Sequence, residues 1–402
     1  MLAQSFSPVV GGEERIVEDL SAELARRGHR VAVATLRQPA GEPPPREDGV
    51  EVHLLESVVD RIPGAPVDEE RRYAPPGPDP LAARGLWRLI REWRPDVVHA
   101  HNWLAHTYLP LERRTGAAFV LSLHDYSLLC ATKRFFYRGG VCSGPAARKC
   151  LVHAVEHYGA AKGVVAAAGT RLGEGRLRRR VDMFLPVSVA VRDLSGIAAE
   201  PHRVVPNFIG ELPPPPGPDP RLDALPDEPF VMYFGDLTED KGVPLLVEAY
   251  AGLEAPPPLV LVGRRLVDLP DLPGVRALGR LPHALAIEAL RRSLFAVAPS
   301  LLPESFGIVA LEAAAAGKPA IVSAAGGLVD VVVDDETGLL VPPGDAPALR
   351  KALERLLGDA DLRARMGEAA LARAARYAPD EVVPRFEAAY AEALEARRRA
   401  GA

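Results

Sequence analysis

The chain has 402 residues, 48% of them hydrophobic and 25% charged, with a formal net charge of −5 and a pI near 6.1. That length fits two globular domains of roughly 150 to 200 residues each. The charge gives no global attraction to nucleic acid or anionic lipid. No apolar run reaches the ~18 residues needed to span a bilayer, and no secretory leader pattern opens the sequence. Three cysteines point to a reducing cytoplasm rather than to a disulfide scaffold.

Short apolar runs alternate with longer helical patterns, the mark of βαβ units and parallel sheets. "MLAQSFSP" reads almost as the end of a strand, so the expected natural start lies upstream. "PVVGGEERIVEDLSAELARRGHRV" (8–31) follows as a glycine pair leading into an amphipathic helix. Strands are predicted at "VAVAT" (31–35), "DVVHAH" (96–101), "FVLSLHD" (119–125), "MFLPVS" (183–188) and "RVVPN" (203–207). Residues 61–80, rich in Pro, Gly and charge, read as a flexible loop. The proline-rich 211–228 segment is suited to a semi-rigid linker.

Beyond it, strands are predicted at "FVMYFGD" (230–236), "LVLVG" (259–263), "VRALG" (275–279), "LFAVAPS" (294–300), "AIVSA" (320–324) and "GLLVPP" (338–343). The expected architecture is α/β: two Rossmann-like, doubly wound domains over 1–210 and 229–380, facing each other across a cleft. A helix is expected at about 381–402. Ligands of such sheets bind at the carboxyl ends of the strands.

The most informative stretch is "PESFGIVALE" (303–312). A buried strand and a turn precede it, and a helix follows. Ser305 to Gly307 therefore sit at a helix N-terminus, whose free N–H groups and dipole favour an anion. Glu304 and Glu312 would repel that anion, but they suit hydroxyls on either side of it. A helical rise of roughly 1.5 Å per residue separates them by about 10 Å, which fits a nucleotide sugar with phosphates in the middle. In isolation the same spacing is ordinarily two solvated glutamates. Here "FGDLTEDKGV" (234–243) also ends a strand and places Lys241 to reach a phosphate. Gly11 and Gly12 suit either a phosphate contact or a plain tight turn. His124, at the end of "FVLSLHD", is placed to hydrogen-bond sugar hydroxyls or phosphate oxygens.

Taken together, "GGEE", "HDY", "GDLTEDKG", "PESFGIVALEAAAAGKPAIVSAAGG" and "TGLLVPPGD" resemble the retaining glycosyltransferases of family 4, over nearly the whole chain. The resemblance implies the GT-B fold, with the last helix at about 381–402 packing back onto the first domain, and a retaining, metal-independent transfer of a sugar from a UDP- or GDP-linked donor to an acceptor hydroxyl. It implies no cofactor, and a carbohydrate, lipid-linked or small-molecule acceptor, as in glycan or glycolipid biosynthesis. His124, Lys241 and Glu304 would be catalytic. Gly11, Gly12, Lys241, Arg280, Glu304, Ser305, Phe306, Gly307, Ile308 and Glu312 would bind the donor, Phe306 and Gly307 through backbone N–H groups. One departure is Asp236, where the family commonly has arginine. It must point away from a diphosphate or pair with Lys241, and Arg264 or Arg265 is the candidate replacement cation. A sugar-nucleotide epimerase of the same fold and a catalytically silent nucleotide-sugar-binding protein are the alternatives.

Three further signals compete with ordinary readings. Cys130, Cys142, Cys150 and His153 could close a tetrahedral zinc site, although free thiols suit the first two spacings better. His99, His101 and His106 are expected to line the acceptor side rather than bind metal. The basic stretch "RLGEGRLRRR" (171–180) reads as a solvated helix face or as a peripheral contact with the inner face of the membrane.

Overall fold

The computed structural model describes residues 1–9, 11–61 and 71–401. Contacts divide the chain into two compact units: unit 1 holds 1–135, 142–206 and 382–402, and unit 2 holds 136–141 and 207–381.

In unit 1, strands β1 (Leu2–Ala3), β2 (Ala32–Leu36), β3 (Glu51–Leu55), β4 (Val97–His101) and β5 (Ala118–Leu123) form one sheet with a sixth strand described below. They are linked by α1 (Gly12–Arg26), α2 (Pro80–Trp93) and α3 (Ala105–Glu112). A two-stranded hairpin follows, β6 (Phe136–Tyr137) and β7 (Gly140–Val141), which counts with unit 2. Helices α4 (Ala147–Tyr158) and α5 (Ala160–Arg178) lead into the sixth strand of the sheet, β8 (Met183–Pro186), and then α6 (Val189–Leu194). The order is β3-β2-β1-β4-β5-β8, with all pairs parallel.

Unit 2 repeats the plan. Strands β9 (Val231–Phe234), β10 (Leu259–Val262), β11 (Val275–Gly279), β12 (Ala296–Ala298), β13 (Ala320–Ser323) and β14 (Gly338–Val341) pair in the order β11-β10-β9-β12-β13-β14. Helices α7 (Val243–Ala251), α8 (His283–Arg292), α9 (Ile308–Ala315) and α10 (Leu328–Val331) alternate with them. After β14 come α11 (Ala346–Gly358), α12 (Ala360–Ala374) and α13 (Pro379–Gly401). In each sheet the winding reverses between the first and fourth strands, β1/β4 and β9/β12. A doubly wound sheet opens a crevice for ligand at that switch point.

The sequence explains the central strands directly. All six residues of β5 and all four of β10 are buried, as expected for a parallel sheet covered on both faces. Asp79 caps α2, accepting from the N–H groups of Leu81 and Ala82 and from the Ser57 hydroxyl at 2.5 Å. The edge strand β3, "EVHLL", was not foreseen. Its residues are mostly half-exposed, so it lacks the continuous apolar run that marks its neighbours. Conversely, "RVVPN" is not a strand. Arg203 and Val205 donate to the carbonyls of Phe184 and Pro186 along the outside of β8, but Pro206 has no N–H with which to continue a ladder.

The last helix is fastened to unit 1 by polar contacts. Tyr390 meets His99 at 2.8 Å, and Glu387 pairs with His29 at 2.9 Å. Arg397 pairs with the buried Glu112, which also binds Arg180 at 3.0 Å. Glu112 is 1% exposed, whereas Arg180 and Arg397 keep 28% and 23% of their side chains in water. Glu112→Ala is therefore expected to cost about 3 kcal/mol, the low end for removing one partner of a buried ion pair. Urea denaturation measures it; a loss below about 0.5 kcal/mol, the range of a neutral surface change, would contradict the role given to Glu112.

Candidate active site

In unit 2 the chain leaves β9 at Gly235 and Asp236 and reaches α7 through a turn carrying Asp240 and Lys241. It leaves β12 through Pro299 and Ser300 and arrives at Glu304 and the start of α9. The two loops are tied together: the N–H groups of Leu301 and Leu302 donate to the Asp240 carbonyl at 2.9 and 3.2 Å. Glu304 is fixed from both sides of its backbone, bridging Gly326 and accepting from the Gly327 N–H at 2.7 Å. The "AAGG" turn after β13 thus holds the carboxylate loop in place.

Lys241 Nζ donates to Glu304 Oε1 at 2.6 Å, and Ser300 Oγ reaches the same oxygen at 2.5 Å. The lysine side chain is 35% exposed and the glutamate 16%, so the pair lies at the edge of solvent. Gly307 caps α9 with φ +100°, and a Cβ there would come within 2.6 Å of Leu328. Only glycine fits both demands. The N–H groups of the first turn of α9 lack helical acceptors and face outward with the positive end of the dipole. Phe306 is buried with its ring edge-on to Tyr377. Its side chain belongs to the core, which leaves only its backbone for a ligand. Ser305 and Ile308 are half-buried beside it.

Glu312 sits deeper on α9, fully buried, with Oε1 at 2.7 Å from Nε2 of His283 at the start of α8. Sequence reasoning missed His283. A histidine opening a helix after a strand, in "GRLPHALAIE", was the available signal. Arg280 stands exposed just after β11.

In unit 1 a second polar cluster gathers where β4 and β5 end. His101 Nδ1 and His124 Nε2 are 2.8 Å apart with stacked rings. Burial, then the neighbouring His99 and His124, hold His101 well below the ordinary histidine range, so it is neutral at pH 7. Asn102 donates to Glu13 on the first turn of α1 and accepts from Ser127 Oγ at 3.3 Å. Lys133 lies over the Trp103 ring at 4.4 Å. Burial, then the Glu14 and Asp125 charges, push the Glu13 carboxyl up to about 8. Gly11 caps α1 in an extended conformation that any residue adopts, so its backbone does not single it out as a phosphate contact.

Known proteins resemble this chain along most of its length. Residues 220–373 match the model described as glycosyl transferases group 1, and residues 11–207 match the glycosyl transferase 4-like domain. A glycogen synthase of Mycobacterium tuberculosis is 32% identical, over 93% of this chain and 89% of that protein. The chain is a family 4 glycosyltransferase. Its fold is shared with the sucrose-phosphate synthase of Thermosynechococcus elongatus, at a TM-score of 0.73 and 21% identity over 98% of this chain and 99% of that one. It is shared too with Anabaena Alr3699/HepE, solved in complex with UDP-glucose, at 0.67 and 16% over 98% of each. These likenesses favour neither the epimerase nor the silent binder.

Several residues of this glycosyltransferase have partners that the sequence does not specify. Asp236 does not pair with Lys241; it pairs with Arg264 at 3.3 Å, because Glu304 already holds the lysine. Arg265 is turned onto the carbonyls of Val267 and Leu269. Both candidate replacement cations are thus engaged within their own loop region. Cys130, Cys142, Cys150 and His153 do line one small pocket. Among the described residues, however, no group of three or more such side chains is arranged to hold a metal ion. Each thiol is taken locally: Cys130 by the Thr132 hydroxyl, Cys142 by the Gly144 carbonyl and Cys150 by the Ala146 N–H. His99 and His101 are buried, and His99 spends both nitrogens on Tyr390 and Ser122. Part of the loop expected at 61–80, residues 62–70, lies outside the described residues. Among the described residues no helix is long and apolar enough to cross a membrane.

Glu13 makes a testable contribution to pH dependence. Its folded-state pKa lies above the ordinary value, so the folded protein holds this proton more tightly than the unfolded chain does. The resulting stability is fully present below about pH 4.5 and is lost as pH rises toward about 8. Urea midpoints of the wild type are expected to fall relative to Glu13→Gln between those limits. Parallel profiles would show that Glu13 is not perturbed.

Proposed function

We propose that the enzyme transfers a sugar with retention from a UDP- or GDP-sugar to an acceptor hydroxyl, without a metal ion. The Lys241–Glu304 contact beside the start of α9 carries this reading. A diphosphate offers Lys241 a stronger partner than a single carboxylate, since charge-assisted bonds to phosphate combine with the helix N-terminus. When Lys241 turns to the phosphates, Glu304 is released from the lysine but keeps its backbone anchors and Ser300. It is then free to accept a hydrogen bond from a hydroxyl of the donor sugar. Glu312, oriented by His283, takes the ribose. The N–H groups of Phe306 and Gly307 take the diphosphate, and Ser305 and Ile308 shape the approach to it. Arg280 lies beside the base. Anabaena Alr3699/HepE, solved with UDP-glucose, supports a sugar nucleotide as the donor class.

The chemical demand is negative charge growing on a departing diphosphate while the sugar becomes oxocarbenium-like. Lys241 and the α9 dipole supply positive potential for that charge, the part a metal plays in other transferases. Retention follows when the acceptor attacks the face the diphosphate leaves, with a diphosphate oxygen taking the acceptor proton. No protein general base is assigned. We place the acceptor on unit 1 and give His124 the hydrogen bonds to sugar hydroxyls. The acceptor is a carbohydrate, a lipid-linked sugar or a small molecule, and the enzyme works in the cytoplasm.

Nucleotide release from a panel of UDP- and GDP-sugars tests the reading. Lys241→Ala and Glu304→Gln are each expected to lower kcat/KM by about 10²–10³-fold, the usual loss for one preorganised electrostatic group. Glu312→Ala is expected to act mainly on the donor KM. Wild-type turnover in Glu304→Gln would reject its assignment.

A further inference from the structure

A pocket of about 750 Å³ opens in unit 1 between α3, α5 and the loop at 76–78, and its lining residues belong to neither cluster described above. Four arginines reach it: Arg113, Arg176, Arg179 and Arg180. Arg180 is neutralised by Glu112 at 3.0 Å. Among the described residues Arg113, Arg176 and Arg179 carry no ion pair, and no carboxylate lines the pocket. The basic stretch 176–180 thus divides by role. Arg178 is tied to Glu174, Glu200 and the carbonyls of Ser195 and Gly196, while Arg176 and Arg179 are left with their guanidinium groups free.

The lining also includes His106, which is 2% exposed. Gly173 of α5 passes directly over this ring; a Cβ there would come within 2.3 Å of His106 Cε1. Burial, then the Arg176 charge, lower the His106 pKa to about 4. At pH 7 the ring is therefore neutral and offers one N–H donor without adding charge. Three unneutralised guanidinium groups gathered in one concavity repel each other, and each presents a flat fork of donors. Such a set is relieved by a multivalent anion with several acceptor oxygens.

We infer that this pocket binds a phosphoryl group borne on a larger body. Its volume exceeds what a bare phosphate fills and lies in the range of small-molecule sites. Leu172, 65% exposed, is part of the lining, and Val165, seven residues earlier on the same face of α5, is 61% exposed. An apolar rim beside arginines accepts a phosphorylated metabolite or the headgroup of an anionic lipid with equal chemistry. This inference does not depend on the donor-site assignments in unit 2.

Two arms separate the sources, both using the full chain. Inorganic phosphate is titrated calorimetrically, and flotation is measured with vesicles of equal parts phosphatidylcholine and phosphatidic acid against phosphatidylcholine alone. Wild type is expected to bind at least one probe, with Arg176→Gln/Arg179→Gln weakening that binding by tenfold or more. Phosphate binding alone identifies a soluble phosphorylated ligand; anionic vesicle binding alone identifies a lipid headgroup. If the double variant loses thermal stability, Arg113→Gln on the opposite wall gives the same comparison and is expected to weaken binding at least threefold. Absence of binding to both probes, or equal binding by wild type and the folded variants, overturns the inference.

Discussion

We propose that the site in unit 2 rests on one constraint: a lysine and a glutamate that bind each other until a stronger partner arrives. Lys241 and Glu304 come from loops leaving β9 and β12, the two strands that flank the reversal in sheet winding. The Asp240 carbonyl ties the two loops together and the Gly326–Gly327 turn anchors Glu304, so the backbone under the pair is set before ligand arrives. At the edge of solvent such a pair contributes little to stability. In the proposed function its value lies in keeping a cation and a hydroxyl acceptor aimed at the same small volume in front of the α9 N-terminus. A fully buried pair would be too costly to open, and separated charges would be less well aimed.

Much of this was legible in the sequence. The buried strands β5 and β10 announce themselves by composition, and "PESFGIVALE" by the sequence strand, turn, glycine, helix. The glycine at 307 could be placed at a helix start because the residues after it are strong helix formers. The partners of the charged residues were not legible. His283 meets Glu312 across 29 positions, and Asn102 meets Glu13 across 89. Nothing local in the chain encodes those distances; the winding of the sheets does. For the same reason the partner of Asp236 was not legible. Its partner Arg264 is 28 residues away but stands on the adjacent strand end, because β9 and β10 pair side by side.

Spacing was a weak guide where it imitated a motif. Cys150 and His153 have the separation of a zinc pair, yet the thiols are directed by their own turns to nearby backbone and hydroxyl groups. The histidines of "HAHNWLAH" likewise reflect packing more than exposure, with His99 serving the last helix. The arginines of 176–180 show the reverse. A run that looks uniformly basic separates in three dimensions into structural ties and uncommitted charge, and the proposed phosphoryl site rests on the latter.

The central claim is that a diphosphate displaces Glu304 from Lys241 at the start of α9. A crystal structure of the enzyme with UDP or GDP tests it most directly. The account requires the diphosphate on the backbone N–H groups around Gly307, Lys241 Nζ turned to a phosphate oxygen, and the ribose hydroxyls at Glu312. Nucleotide bound elsewhere, or bound with the Lys241–Glu304 contact still closed at 2.6 Å, would contradict it.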